Sequence, residues 1–225
     1  WVKLHFKTQQ GHRFWTEEQA AQVIAESRES YQEDLFEAIE AGLSPRWKLK
    51  VQIMTEAGLI KDATRIWWDV RPSAKFPTLE TRVMDVCTRL DDTIALTSLL
   101  VCILRMLYRL RLNNQRWRIY TPMLIRENRW RAMRYSFDEG LVDLAKGTVV
   151  PFEELLNEML CLIAEDAEAL GCTDEVNDLR HIMQRGTSAH RQLKKYELEV
   201  AGGASHDDAL KAVVDKLVKD TAEGL

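Results

Sequence analysis

The sequence predicts an α+β fold, a small antiparallel sheet accompanied by a helix-rich C-terminal half. Two observations carry this. Short runs that alternate apolar and polar residues fall near 1–8, 47–54, 65–71 and 78–84. Alternation is the mark of a half-buried strand, because successive side chains point to opposite faces. Beyond residue 88 the apolar residues recur at helical spacing and single glycines punctuate them, which predicts about seven or eight helices over the whole chain. At 225 residues the chain can bury a real core as one large domain or two small ones. A hydrophobic content of 46% with 29% charged residues is that of a soluble globular protein, and a net charge of −4 singles out no nucleic acid or membrane.

Trp1-Val-Lys-Leu-His-Phe-Lys-Thr8 reads as the first strand, ended by Gly11. Thr16-Glu-Glu-Gln19 is a capping-box pattern, so a helix should start there and run towards Ala41, with Gly42 as its stop. Trp47-Lys-Leu-Lys-Val-Gln-Ile-Met54 alternates again and reads as a second strand. The chain opens on Trp1 without a basic segment followed by an apolar one, so no signal peptide is expected, and the missing Met points to a piece of something longer. Cys87, Cys102, Cys161 and Cys172 form no CxxC pair and have no accompanying His spacing. Buried free thiols in a reducing cytoplasm are the expectation, with neither a zinc site nor a disulfide framework.

The charged hairpin at 65–85 is the centre of the functional reading. In the first run Asp69 and Arg71 share a face, with Trp68 and Val70 opposite; in the second Glu80 and Arg82 share a face. Registers whose residue numbers sum to an odd value, such as 71 with 80, put opposite charges across from one another. Two readings stay open at this point. One is a salt-bridged solvent face. The other is a phosphate and metal-ion site, since carboxylates hold Mg²⁺ and guanidinium forks bind anions.

Thr88 is a candidate N-cap for a long helix to about Arg111. Its twelve uncharged residues Thr93–Leu104 are fewer than the roughly 20 a bilayer needs, so a buried core helix is expected and no membrane. Residues 105–134 then hold nine arginines against the single acid Glu127, with Trp117, Tyr120 and Trp130 interleaved. Composition alone allows a nucleic-acid patch. The acidic chain as a whole disfavours it, and pairing with the acids of 153–175 or lining of a cleft ranks above it, so no nucleic-acid partner is expected. On a helix Asn128, Arg131 and Tyr135 share one face. Further on, Pro151 suits a first helical turn, Leu155, Leu156, Met159, Leu160 and Ile163 form an apolar stripe, and helices are expected at 174–185, 188–201 and 206–222, the last capped by Ser205. His181, His190 and His206 lack metal-ligand spacing and read as surface or capping residues.

Two resemblances add to this. Trp1–Gly11, Arg28–Phe36 and Pro45–Met54 resemble a barrel segment of haem catalases, covering residues 1–56. That likeness implies two barrel strands, with His5 and Lys7 at positions that face NADPH in some members; the family's haem-ligand motifs are absent, so peroxide chemistry is not implied. Residues 57–225 resemble the C-terminal half of carboxylate–amine ligases of the glutamate–cysteine ligase family. The motifs are Ile66-Trp-Trp-Asp-Val-Arg-Pro-Ser73, Pro77-Thr-Leu-Glu-Thr-Arg-Val-Met-Asp85, Cys87-Thr-Arg-Leu-Asp-Asp92, Glu127-Asn-Arg-Trp-Arg-Ala-Met-Arg-Tyr135 and Gly186-Thr-Ser-Ala-His-Arg-Gln-Leu193. Together they suggest a chimera joined near 54–58.

The ligase resemblance implies a glutamine synthetase-like fold fragment, ATP and Mg²⁺ as cofactors, and small-molecule substrates, an amino-acid carboxylate and an amine. It implies Glu80 as a metal ligand, Arg82 and Arg71 as catalytic anion-binding groups, Asp69 as the residue orienting Arg71, and Asn128, Arg129 and Arg134 along the ATP or substrate cleft. In that family the other metal ligands come from the N-terminal half, so weak or no activity is expected of this chain alone. The alternative is a non-catalytic fusion whose hairpin is merely structural. An uncovered sheet edge would favour self-association.

Overall fold

A computed structural model of the chain describes residues 45–65, 70–72 and 79–223. The strand expected at 1–8 and the helix at 16–41 lie outside the described residues, as do His5, Lys7 and Asp69. The chain divides into two compact units, Trp1–Asp85 and Val86–Leu225.

In the first unit the strand expected over 47–54 is instead a helix, α1, Pro45–Glu56. Lys, Leu, Gln, Met and Glu dominate this segment and are strong helix formers, and Pro45 is pre-set for a first turn. Alternation over eight residues makes a strand only where a partner strand accepts its ladder, and none pairs here among the described residues. Gln52 bonds Glu56 one turn on at 2.7 Å, and Gly58 (φ 70°) ends the helix region. This also removes the second barrel strand that the catalase likeness implied.

The charged hairpin does form. Strands β1 (Val70–Pro72) and β2 (Leu79–Thr81) are antiparallel, with Val70 opposite Thr81, Arg71 opposite Glu80 and Pro72 opposite Leu79. That is the odd-sum register in which opposite charges face each other. Among the described residues this sheet has two strands; of the other two expected, 47–54 is helical and 1–8 lies outside the described residues.

The second unit is helical, with one further hairpin. Helix α2 (Leu90–Leu112) is followed by α3 (Pro122–Tyr135), β3 (Leu141–Asp143), β4 (Thr148–Val150), α4 (Phe152–Leu162), α5 (Ala164–Leu170), α6 (Thr173–Asn177), α7 (Leu179–Arg185), α8 (Ser188–Ala201) and α9 (His206–Ala222). Nine α-helices are thus present among the described residues. The core sits where one face of α2 meets α4–α7. Ala95, Cys102 and Met106 pack with Leu156, Leu160, Ile163, Ala167, Val176 and Leu179. Each large aliphatic side chain buried there contributes roughly 1.5–3 kcal/mol of transfer free energy.

By length and composition alone α2 could cross a membrane. Its charges show what it does here. Asp92 is buried against Arg185 at 2.5 Å, and Arg105 and Arg109 reach across to Asp166 on α5. It is a core helix on that face only, since Val101, Leu107 and Leu112 are exposed on others. The N-cap is Arg89, not Thr88. Thr88 instead takes a hydrogen bond from Arg191 at 3.0 Å and donates to Ser188.

Other elements depart from expectation by small shifts. Pro151 is the N-cap of α4, one position before its first turn. The helix expected at 174–185 is two short helices, α6 and α7, joined at Asp178. Helices α8 and α9 span 188–201 and 206–222 as expected, and the Ser205 hydroxyl accepts from the Asp208 amide.

The β3–β4 hairpin has no counterpart in the sequence reading, because three-residue strands are too short to show a period. Its loop is built by Asp143, whose Oδ1 accepts from the amides of Ala145 and Lys146 at 2.8 and 3.0 Å. Those two amides hold the Asp143 carboxyl below the usual carboxylate range. Gly140 enters the hairpin at φ +66°, and a Cβ there would stand 2.1 Å from the Val150 carbonyl oxygen, so only glycine fits.

Candidate functional site

The first unit holds the charged hairpin. Glu80 sits on β2 and Arg82 follows the strand directly, two residues on and therefore on the same face. Arg82 donates from Nε and from Nη2 to Glu80 Oε1, both at 2.8 Å. Both side chains are about one-third exposed (32% for Arg82 and 34% for Glu80), accessible enough to meet a ligand. Arg71 is the residue directly opposite Glu80 on β1. Three of the four hairpin residues thereby occupy neighbouring ladder positions, and Asp69 lies outside the described residues.

Chemically this arrangement offers a carboxylate that can hold a hard cation and a guanidinium that can hold an anion. Among the described residues there is no group of three or more His, Cys, Asp or Glu side chains placed to hold a metal ion. Glu80 therefore fits Mg²⁺ as one ligand among several, which is how Mg²⁺ is commonly held when substrate phosphates complete its shell.

The second unit holds a cleft of about 830 Å³ between α2, α4 and the β3–β4 hairpin. Leu99, Ile103, Trp117 and Met159 make its apolar wall, while Arg116, Arg118 and Asn128 bring polar atoms to it. Asn128, expected along an ATP or substrate cleft, is among the residues that line this one. Its amide, however, is engaged by the backbone of Val142: Nδ2 donates to the carbonyl and Oδ1 accepts from the amide, both at 2.8 Å. Arg129 and Arg134 are exposed on α3, and neither is among the residues lining the cleft; Arg134 lies over the Tyr135 ring at 5.4 Å.

The arginine-rich stretch is largely occupied with its own fold. Arg105 and Arg109 converge on fully buried Asp166, at 2.5 and 2.8 Å. Burial by itself would raise the Asp166 carboxyl, but the hydrogen bonds from Arg109 and Arg105 outweigh it and hold the group below its ordinary value. Arg126 caps its own first turn by donating to the Pro122 carbonyl, and Arg131 donates to the carbonyls of Gly140 and Glu139. Pairing with the acids of 153–175 is thus found for two of the nine arginines, and Asn128, Arg131 and Tyr135 do share a face.

Two sequence motifs far apart in the chain meet at the foot of α2. Arg191 donates to the Gly186 carbonyl and the Thr88 hydroxyl, and lies 3.6 Å from Asp92 and 3.5 Å from Asp220. Segments 87–92 and 186–193 are thereby locked together with α9. That the two segments form one polar junction is not evident from sequence; the paired acids Asp91-Asp92 and the run Ala189-His-Arg191 are the only local signal of it. His190 caps α8 by accepting from Thr187 at Nδ1 and stacks on Phe137, with ring centroids 4.7 Å apart. His181 pairs with Asp178 and His206 with Tyr196, which matches their reading as surface and capping residues.

Comparison with known proteins gives a consistent answer. A family model described as glutamate-cysteine ligase family 2 matches residues 6–216. A protein of Rhodospirillum rubrum named "Putative glutamate--cysteine ligase 2" is 57% identical over 175 residues, covering 78% of this chain and 45% of that protein. Proteins of the same name from Jannaschia sp. and Paracoccus denitrificans are 46% and 44% identical over 198 residues, covering 85% of this chain and 52% and 53% of theirs. The chain spans about half the length of the curated relatives it matches. The family match begins at residue 6 and so runs through the segment that resembled catalases and across 54–58.

Proposed function

Because the chain belongs to glutamate-cysteine ligase family 2, we propose that it supplies one part of the site of an ATP-dependent ligase joining an amino-acid carboxylate to an amine. The observation that carries the reading is the Glu80–Arg82 pair at the ladder position opposite Arg71. Ligation of this kind runs through an acyl phosphate, so an anionic carboxylate must approach an anionic γ-phosphate. Mg²⁺ would supply charge neutralisation between phosphate oxygens. Glu80 would contribute one oxygen to hold it. Arg82 and Arg71 would bind the phosphoryl group or the substrate carboxylate and stabilise charge as it develops. No thiol, serine or histidine nucleophile is needed.

Since Glu80 is a single ligand and the chain spans about half the length of its relatives, we propose that it binds Mg-ATP more readily than it turns it over. The apolar cleft by Trp117 supports small-molecule binding within the second unit taken by itself. A two-part descent with a joint near 54–58 rests on the quoted motifs alone and does not alter the reading of the hairpin.

The test is a thermal shift with Mg-ATP, run beside a coupled ADP-release assay with glutamate and cysteine. The expected result is a shift with the wild-type chain that is lost in Arg82→Ala and reduced in Glu80→Ala, with little ADP release. An identical shift in wild type and Arg82→Ala would overturn the reading and leave the hairpin structural. Robust turnover abolished by Glu80→Ala would support the ligase chemistry and correct the expectation that these residues turn ATP over only weakly.

A further inference from the structure

Four thiols are present, and two of them meet. Cys102 lies mid-way along α2 and is fully buried, while Cys172 is half-buried in the turn between α5 and α6; their sulfurs are 3.5 Å apart, with 70 residues between them in sequence. That is a direct sulfur–sulfur contact. Cys161, also on this unit, is exposed.

We propose that Cys102 and Cys172 form a redox-active dithiol, a site that a low-molecular-weight disulfide converts to an intramolecular disulfide bond. The two positions differ in the way such a pair requires. Cys172 follows Gly171, which adopts φ 64°, and a Cβ added to Gly171 would meet nothing within 4 Å. Cys172 itself is only half-buried, which leaves this side of the pair open to a small disulfide. Cys102 is fixed in the helix behind it, where no outside reagent reaches. Hydrogen bonding from the Cys102 thiol pulls the Cys172 thiol below its ordinary value, whereas Cys102 itself is pushed up, by that shared contact first and by burial second. Because Cys172 is half-buried and Cys102 fully buried, Cys172 is the attacking sulfur and Cys102 the resolving one.

The chemistry balances in two exchanges. The Cys172 thiolate attacks one sulfur of RS–SR, forming Cys172–S–SR and releasing RS⁻, which takes up the proton that Cys172 gave. Cys102 then attacks the Cys172 sulfur, the second RS⁻ leaves and takes the proton of Cys102, and the Cys102–Cys172 bond remains. Two protein thiols are oxidised and one small disulfide is reduced to two thiols. The sulfurs must close from 3.5 Å to about 2.05 Å. The turn at 171–172 is the element that gives, because α2 is fixed by its core contacts and by Asp166.

This inference does not depend on the ligase reading. It is tested on the reduced 225-residue chain with hydroxyethyl disulfide as the oxidant, followed by alkylation in denaturant and peptide mapping without reductant. The expected product is a linked peptide pair holding Cys102 and Cys172, two hydrogens lighter than the sum of its parts, with Cys87 and Cys161 alkylated. Cys102→Ser should leave a stable mercaptoethanol adduct on Cys172, and Cys172→Ser should leave Cys102 alkylated and unmodified by the oxidant. Recovery of Cys102 and Cys172 both fully alkylated from wild type, or an adduct on Cys161 alone, would overturn the proposal. Far-UV circular dichroism matching wild type identifies the variants that have kept their fold, and the wild-type map decides the matter without them.

Discussion

Arg71 and Glu80 stand opposite one another on the β1–β2 ladder, and Glu80 in turn takes both of its described bonds from Arg82 onto a single carboxylate oxygen. A salt-bridged solvent face and an anion site make different demands on this arrangement. A solvent-face pair needs only opposite charges, in either order; an anion site needs the positive charge where the anion lies. The double variant Glu80→Arg/Arg82→Glu separates them. A pair one-third exposed couples by about 0.2–1 kcal/mol, so the swap should restore most of the stability that either single reversal loses. The Mg-ATP thermal shift should stay lost. Recovery of both by the swap would reduce the hairpin to surface electrostatics.

Asp166 is the one carboxylate buried completely among the described residues, and two arginines from one helix hold it. Asp166→Asn keeps its shape and removes its charge, leaving Arg105 and Arg109 facing an amide. A loss of about 3 kcal/mol is expected by urea denaturation, because removing one partner strands the others in a low-dielectric site. The pH dependence has a fixed sign. A carboxyl held below its ordinary value binds its proton more weakly in the folded chain than in the unfolded one. Its stabilisation is therefore complete above about pH 4 and is lost as pH falls through the lower folded value. The wild-type acid limb should accordingly be steeper than that of Asp166→Asn; parallel limbs would show that the pair contributes nothing.

Asn128 lines the cleft of the second unit and at the same time holds a strand. Its side chain makes both backbone bonds to Val142 in place of a neighbouring strand, fixing β3 against α3. Asn128→Ala leaves a part-buried carbonyl and amide without partners and should cost about 2 kcal/mol. Amide exchange at Val142 should quicken, while exchange within α8 stays as it is. Asn128→Asp keeps the acceptor and loses the donor, so an intermediate loss is expected. A variant that binds Mg-ATP less tightly with unchanged Val142 exchange would instead restore Asn128 to the ligand.

What the sequence made legible follows from how far each signal reaches. The register of the hairpin was readable because strand parity and charge sign together admit one kind of pairing. Helices α8 and α9 were readable because Ser205 and the Gly202-Gly203 break bound them locally. The segment 47–54 reads as a strand because Leu49, Val51 and Ile53 alternate as a strand would; whether that pattern is used depends on a partner that no local window contains. The β3–β4 hairpin escaped notice for the same reason at shorter range, its strands being held by Asn128 and by an Asx turn at Asp143. The junction of Arg191 with Thr88 and Asp92 joins positions about a hundred residues apart, and only the fold brings them together.

Ser136 closes α3 in a conformation that side chains avoid, with φ 53° and ψ −121°. A residue with a Cβ in this region is strained by about 1–3 kcal/mol unless its surroundings enforce it. The enforcing contact is next door. Phe137 stacks between Phe152, with centroids 6.3 Å apart, and His190, at 4.7 Å, so the turn at 136 aims Phe137 into a slot between α4 and α8. Ser136→Gly relieves the strain and gives back part of the gain as extra freedom in the unfolded chain, for a net stabilisation of about 1 kcal/mol. Ser136→Val should destabilise, since a β-branched residue tolerates this region worst. Phe137→Ala removes what enforces the turn, so the gain from Ser136→Gly should shrink in that background. Equal gains in both backgrounds would mean that the strain is not held by the aromatic stack.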